Sequence, residues 1–330
     1  MKARLIAAAV SVTAAAVTVA ACSSGGSSNA SGGGTSGQGG ALTTVTVGTS
    51  GATAAYGPIY VGAMEGIFKK HGINLQIQTL TPNSVTAAVL SGNIDVALDG
   101  PNLAAGILTN PSAKIAATAG PTVFYIYAKK GTASIQDLKG KTIAVTTPGG
   151  SLDTSVRAAI TKAGMTPGVD VKIAYLQTNS AALAAAETGS VQAAGVSPPT
   201  SVQASQHGLV QVENITPLCP LGLAAISNHF AANKSVVQQF MDAWKESNAL
   251  AVANNADSNA ALKQYVKITD QAQLNGSWQA YKSVWEAAPY PTSAMQKVLD
   301  QLAHSNPPVT KAASADPASL IDNSFISQAS

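Results

Sequence analysis

Four short loops hold the polar side chains best placed to touch a small molecule: residues 50–56, 99–102, 146–153 and 197–200. Each follows a short apolar run and precedes a segment with helical spacing. They offer hydroxyls, carboxylates and glycine-exposed backbone amides. Ser and Asp at such places also serve as ordinary helix N-caps, and proline suits the first helical turn. Asp99 therefore has two readings, a receiver for a ligand amine or a cap for the helix opened by Pro101. Tyr56 has two as well, a ring turned to a ligand or packed on its own lobe. Pro148-Gly149-Gly150-Ser151 is glycine-rich but matches neither the GxxxxGK[ST] phosphate loop nor the GxGxxG dinucleotide turn. His71, His207, His229 and His304 are scattered without ligand spacing, so no metal site is expected. No nucleophile with its base emerges, and no cofactor is expected. Cys219, in Pro217-Leu218-Cys219-Pro220-Leu221, reads as a buried structural thiol.

An alternation of strands and helices must position these loops. Residues 44–48 alternate as a strand, and Ile59, Tyr60, Ala63, Met64, Ile67 and Phe68 then recur at helical spacing up to His71-Gly72. Residues 73–78 read as a half-buried strand. Asn83 or Ser84 can cap a short helix that stops at Ser91-Gly92, and residues 94–98 and 115–119 read as further strands. The rhythm restarts with strands at 142–145, 171–175, 193–196 and 210–213, separated by helices. A repeated βαβαβ pattern predicts an α/β protein with mainly parallel sheets flanked by helices. Ala97-Leu98-Asp99-Gly100-Pro101 and Gly195-Val196-Ser197-Pro198-Pro199 place a short polar residue and a proline at matching junctions. Loops 50–56 and 146–153 match in the same way, so two similar lobes with a cleft between them are expected. From Lys234 onward the chain reads as helical, with Val237, Phe240, Met241 and Trp244 on one face and Trp278, Tyr281 and Trp285 on another. Such stripes belong to a core. Leu320, Ile321 and Phe325 in the final stretch are free to dock back on the body.

Hydrophobic residues make up 46% of the chain and charged residues only 11%, a globular composition with a weakly charged surface. No basic patch points to nucleic acid. Lys2 and Arg4 precede an apolar, alanine-rich run over residues 5–20, which is short for a membrane span. Val19-Ala20-Ala21-Cys22 follows, and then a Ser/Gly-rich stretch to residue 40. This order is that of a secretory signal followed by a flexible tether. With Cys22 at the cleavage position it resembles a bacterial lipoprotein signal, which implies cleavage before Cys22 and a lipid on that residue. Beyond Arg4 the chain has a single arginine, Arg157, expected to face solvent from inside its helix.

The body of the chain resembles the solute-binding proteins of ABC importers, in the group that serves nitrate, sulfonates, taurine and thiamine-pyrimidine precursors. The residues that carry this are Tyr60-Val61-Gly62-Ala63-Met64-Glu65-Gly66-Ile67-Phe68-Lys69-Lys70-His71-Gly72-Ile73, Gly92-Asn93-Ile94-Asp95-Val96-Ala97 and Asp137-Leu138-Lys139-Gly140-Lys141-Thr142-Ile143-Ala144-Val145. Gly189-Ser190-Val191-Gln192-Ala193-Ala194 is similar too, with Gln192 where an Asp is usual. The resemblance implies a two-lobed periplasmic-binding-protein-like fold of type II, with two hinge crossings placed near residues 121–127 and 217–223. It implies a signal peptide over 1–21, a tether over 22–43, a first lobe from 44–122 and 222–330, and a second from 123–221. The ligand positions carried over are Ser50, Gly51 and Tyr56; Asp99 and Gly100; Thr147, Gly149, Gly150 and Ser151; and Ser197 and Pro198. The expected partners are a small sulfonate, taurine-like or pyrimidine-like ligand, an ABC permease, and the membrane through the lipid anchor, with the protein a monomer outside the cytoplasm. Two alternatives stay open: a ligand-sensing lipoprotein without transport, and an enzyme of the pyrimidine or menaquinone pathways on the same fold.

Overall fold

The structure, a computed structural model, describes residues 41–305 and 307–329. The signal segment, Cys22 and most of the tether lie outside the described residues.

Among the described residues, ten strands form two sheets. In chain order they are β1 (Thr43–Ser50), β2 (Ile73–Leu80), β3 (Val96–Asp99), β4 (Ala113–Pro121), β5 (Tyr125–Ala128), β6 (Thr142–Val145), β7 (Lys172–Tyr175), β8 (Ala193–Val196), β9 (Val210–Asn214) and β10 (Leu221–Ser227). The first sheet has the order β2-β1-β3-β10-β4 and the second β7-β6-β8-β5-β9. Each begins with three parallel strands, as the βαβ rhythm requires. The fourth strand, β10 or β5, runs antiparallel to both of its neighbours. Each sheet is thus mainly parallel, as the sequence pattern predicts, with four strands running one way and a single antiparallel strand inserted among them. The reason is connectivity: β5 follows directly from β4 in the other sheet, and β10 follows β9 in the same way. The chain therefore crosses between lobes twice, over residues 122–124 and 215–220.

Helices cover both faces of each sheet, so the inner strands are apolar on both sides. In the first sheet Val96, Leu98, Ala224 and Ile226 pack into one layer, while Ala97, Leu223 and Ala225 pack into the other. The period-two split repeats in the second sheet, with Ile143 and Val145 on one face and Ala144, Ala194 and Val196 on the other. Two local expectations change. The helical stretch after β1 breaks at Gly66, which has φ +69°, into Gly57–Met64 and Ile67–Lys70. The helix Pro82–Ser91 is capped by Thr81, whose side chain accepts from the Ser84 amide.

The helical return anchors the first binding loop. Lys234–Ala253 buries Val237, Phe240, Met241 and Trp244 against the first sheet. Tyr281 and Trp285 are buried in a separate cluster with Ala54 and Tyr60. Trp285 Nε1 donates to the Ala54 carbonyl at 3.0 Å, and its ring lies where a side chain on Gly57 would have to go. The chain end docks as expected, with Leu320 and Phe325 buried and Ile321 bridged to Ile115 of β4.

Gly120, near the end of β4, has φ +73°, and a Cβ there would strike the Val284 carbonyl oxygen. The atoms it would meet, on Val284 and Glu286, are all backbone and cannot swing away. Gly120→Ala should therefore cost about 2–4 kcal/mol, from left-handed strain plus overpacking. Chemical denaturation of wild type and variant checks this, and an unchanged midpoint would contradict it.

Candidate functional site

A cavity of about 420 Å³ opens between the two sheets. The six parallel strands β1, β2, β3, β6, β7 and β8 all end on it, since Ser50, Leu80, Asp99, Thr146, Gln177 and Ser197 line it. Carboxyl ends of strands are where α/β sheets present loops and helix N-termini to ligands. Of the residues carried over from the sequence, Ser50, Gly51, Tyr56, Asp99 and Gly100 line the cavity from the first lobe, and Thr147, Gly150, Ser151 and Ser197 from the second. Gly149 and Pro198 are not among the lining residues. Gly149 instead borders an outer groove with Asp153 and Arg157, and its amide donates to Asp153 Oδ2 at 2.9 Å.

Across the cavity the lobes meet. A side chain on Gly100 would collide with Ser151 Oγ of the opposite lobe, so the bare backbone of one loop fits against the hydroxyl of the other. Further out, Gly276 packs against Val202, and Gln206 bonds both Asp270 and Gln273 at 3.3 Å. Thr122, Phe124 and Pro220, on the two crossings, complete the floor.

Asp99 is the one charged residue in the lining. The residue that caps the next helix, Pro101–Thr109, is Gly100, and no side chain bonds that helix end. Of the two readings of Asp99, the capping one is therefore removed. Its Oδ2 is buried without a hydrogen-bond partner. Burial raises its pKa from 3.8 to about 6, with the Ser50 hydroxyl and Gly100 amide pulling the other way. Ser50 Oγ also lies 2.7 Å from the Tyr56 hydroxyl. Burial, and after it the Asp99 charge, pushes Tyr56 well above the ordinary tyrosine range, so it stays neutral. The Tyr56 ring packs on the apolar clusters, and the residue also lines the cavity.

The loop after β7 went unrecognised in the sequence. Gln177, Thr178 and Asn179 all line the cavity, and Asn179 Nδ2 donates to Ser197 Oγ at 2.8 Å while its Oδ1 is buried and unpartnered. A signal existed. Thr178 caps its helix through the Ala181 amide just as Thr81 caps the matching helix of the first lobe. Applying the strand-end rule to β2 and β7 as well would have found Leu80, Pro82 and this loop.

Arg157 does not face solvent freely. It is 38% exposed, with Nε on Asp153 Oδ1 at 2.9 Å and Nη2 on the Tyr175 hydroxyl at 2.7 Å, in the outer groove rather than the cavity. Cys219 is half-buried, accepts from Ser155 Oγ and donates to the Ile215 carbonyl, and burial pushes its thiol up to about 12. An inert packing role fits that environment. Among the described residues no cluster of His, Cys, Asp or Glu suits a metal ion, and no helix is long and apolar enough to cross a membrane.

The raised Asp99 pKa has a sign that can be measured. The native state holds this proton up to about pH 6, whereas the unfolded chain releases it near 3.8. Between those values the native state binds more protons, so this residue's contribution to stability rises as pH falls and is lost above about 6. Asp99→Asn should then stabilise the ligand-free protein at pH 7.5 by about 2 kcal/mol, or a few degrees of Tm, with the difference shrinking towards pH 4. Thermal melts across that range test it, and a variant less stable than wild type at pH 7.5 would refute it.

The fold and cavity have counterparts. A family model described as NMT1/THI5 like matches residues 53–258. The structure is similar to the periplasmic aliphatic sulfonate binding protein SsuA from Escherichia coli, with a TM-score of 0.73 and 18% identity over 84% of this chain and 92% of that one. It is similar to a periplasmic sulfonate-binding protein SsuA, of a putative sulfonate ABC transporter, from Methylobacillus flagellatus KT, with a TM-score of 0.70 and 19% identity over 87% and 93%. The periplasmic nitrate-binding protein NrtA from Synechocystis PCC 6803 gives 0.65 and 16% over 79% and 80%. A search of the curated proteins finds no match. At these identities the likeness speaks for the fold, which is the two-lobed α/β fold of periplasmic binding proteins with two crossings between lobes. The family match spans well over half of the sequence, and the chain belongs to the NMT1/THI5-like family.

Proposed function

We propose that this protein is the solute-binding component of an ABC importer. It takes up a small molecule in the cavity between its lobes, closes over it, and presents it to a membrane permease. The observation that carries this reading is the convergence of six strand ends from two separate sheets on one cavity of about 420 Å³, with the chain passing between the lobes through two short crossings. A solute bridging both lobes stabilises the closed form, and closure by hinge motion is how binding proteins of this architecture signal that they are loaded. Sulfonate- and nitrate-binding proteins among the similar structures support the same role.

Cys22 and the stretch that follows support attachment outside the cytoplasm. A Ser/Gly-rich tether of about 20 residues has a mean reach of roughly 25 Å, enough to hold the lobes beside a permease while they turn and close. The lining also suits reversible capture. It is made of hydroxyls, amides, glycines and one carboxylate, with Leu80, Leu152 and Leu223 as apolar contacts.

The protein should be stabilised in a thermal-shift panel of nitrate, alkanesulfonates, amino sulfonates and aminopyrimidines by at least one compound. A ligand at 100 times its Kd adds about 2.7 kcal/mol. Deleting the protein should abolish uptake of that compound by the cell, and unimpaired uptake would refute transport. Cys22→Ser should release the protein from the membrane fraction, and its full retention there would refute the lipid anchor.

A further inference from the structure

We propose that the lobes keep a third point of attachment besides the two crossings, a contact between helices Thr200–Gln206 and Gln271–Tyr281, and that they part only along the opposite edge, where the solute enters. This rests on the solute-binding reading above and identifies its moving part.

At the attachment the two helices approach closely. A Cβ on Gly276 would lie 2.6 Å from Val202 Cγ2, so only a glycine lets the first-lobe helix come so near. Beside it, both ends of the Gln206 amide are used. Its Nε2 donates to Asp270 Oδ1 and its Oε1 accepts from Gln273 Nε2, each at 3.3 Å. Asp270 also accepts from the Gln273 amide and so caps its own helix, which fixes the first-lobe side. Exposed bonds of this kind are weak singly, but together with the Gly276 contact they set how the two helices sit on one another. The same first-lobe helix carries Tyr281 into a cluster with Val123, which stands on the first crossing. One rigid element is thus tied both to a crossing and to the second lobe. A contact placed beside a hinge in this way moves little while the lobes turn.

The opposite edge is built differently. Ala204, from the attachment helix, packs with Ala144 and Ala194 on one face of the second sheet. Leu152, Val156 and Ile160, from Ser151–Lys162, pack with Ile143 and Val145 on the other face. That second helix looks across the outer groove, of about 570 Å³, to Gln301, His304 and Ser305 at the end of Thr292–Ala303. Among the described residues no hydrogen bond crosses this groove. His304 and Ser305 bond within their own segment, and Arg157 is turned to Asp153 and Tyr175 of its own lobe. Loop 147–151 is the wall that groove and cavity share, with Pro148 and Gly149 on the groove and Thr147, Gly150 and Ser151 on the cavity. Ser151 meets Gly100 of the first lobe by fit alone. Parting the lobes there breaks no hydrogen bond, whereas parting them at Gln206 breaks two. The edge that opens at the lower cost leads straight to the cavity.

Two measurements on the full chain test this, in a Cys22→Ser/Cys219→Ser background. Spin labels report the motion without any solute. Thr161→Cys with His304→Cys spans the groove, and His207→Cys with Ala272→Cys spans the attachment; all four positions are exposed, so folding is not at risk. The attachment pair should give one narrow distance distribution. The groove pair should be at least twice as broad in the empty protein. Second, a Cβ on Gly276 lies 3.6 Å from Val202 Cβ, within the span of a disulfide. Val202→Cys/Gly276→Cys should therefore cross-link in the empty protein. Its oxidised form should bind like its own reduced form whichever of nitrate, ethanesulfonate, taurine or 4-aminopyrimidine stabilises wild type. The proposal is overturned if the attachment pair is as broad as the groove pair, or the groove pair as narrow as the attachment pair. It is also overturned if the cross-link fails to form in a variant whose melt shows it folded, or if oxidation blocks binding that reduction restores. Silence from all four compounds, together with unimpaired uptake on deletion, would remove the solute-binding reading, and the spin-label distances would still decide where the lobes part.

Discussion

Each sheet is completed by a strand that arrives from the other lobe, β5 in the second sheet and β10 in the first. Each lobe's fourth strand is therefore also an anchor for a crossing. The arrangement makes the lobes separate bodies with their own two-sided cores, yet joins them at adjacent strands. The packing there is tight: Gly222 faces the Gly120 carbonyl, and Gly120 faces that of Val284. Backbone packed on backbone fixes where the crossings leave the first lobe. The six parallel strands on the far side of β5 and β10 then end on the space between the lobes. The position of the cavity follows from the topology before any lining residue is chosen.

Chemistry is added by the loops, and the lining departs from the rest of the molecule in one respect. The surrounding hydroxyls, amides and glycines are neutral, so a single carboxylate sets the electrostatics of the cavity. The Ser50 hydroxyl bonds that carboxylate and leaves its charge uncancelled, and Tyr56 in turn bonds Ser50. The Trp285 bond to Ala54 matters for the same reason. It holds the loop that carries Ser50 and Tyr56 against a buried helical cluster, so the hydroxyls beside Asp99 are fixed in advance of binding.

Much of this was legible in the sequence because it is local. Alternating runs became β1 and β2, the short apolar run 193–196 became β8, the stripe through Val237, Phe240 and Trp244 became core, and four of the lining loops stood at recognisable strand-to-helix junctions. Part of what was not legible depends on partners distant in the chain, and part on which of several local bonds forms. The direction of β5 and β10 within their sheets is set by which lobe the chain is leaving, and nothing in Tyr125–Ala128 or Leu221–Ser227 states it. Gly149 looked equivalent to Gly150, but its bond to Asp153 commits it to the outer groove. Arg157 looked free because its partner Tyr175 lies on the next strand over, β7, which pairs with β6. Asp99 was ambiguous because capping and ligand binding use the same residue types at the same place. Only the absence of a capping bond separates them.

The scarcity of arginine takes on a meaning in that light. A cation in the lining would pair with Asp99 and satisfy its free oxygen, and the cavity would lose the unmet demand that a solute can fill. The single arginine beyond Arg4 is instead held by a buried Asp153 and a tyrosine on the outer face of its helix. An unpaired buried acceptor is costly in the empty cavity, and the same carboxylate would repel a bare anion placed beside it. Both costs arise from the same burial that raises the Asp99 pKa, so a more exposed Asp99 would relieve them together.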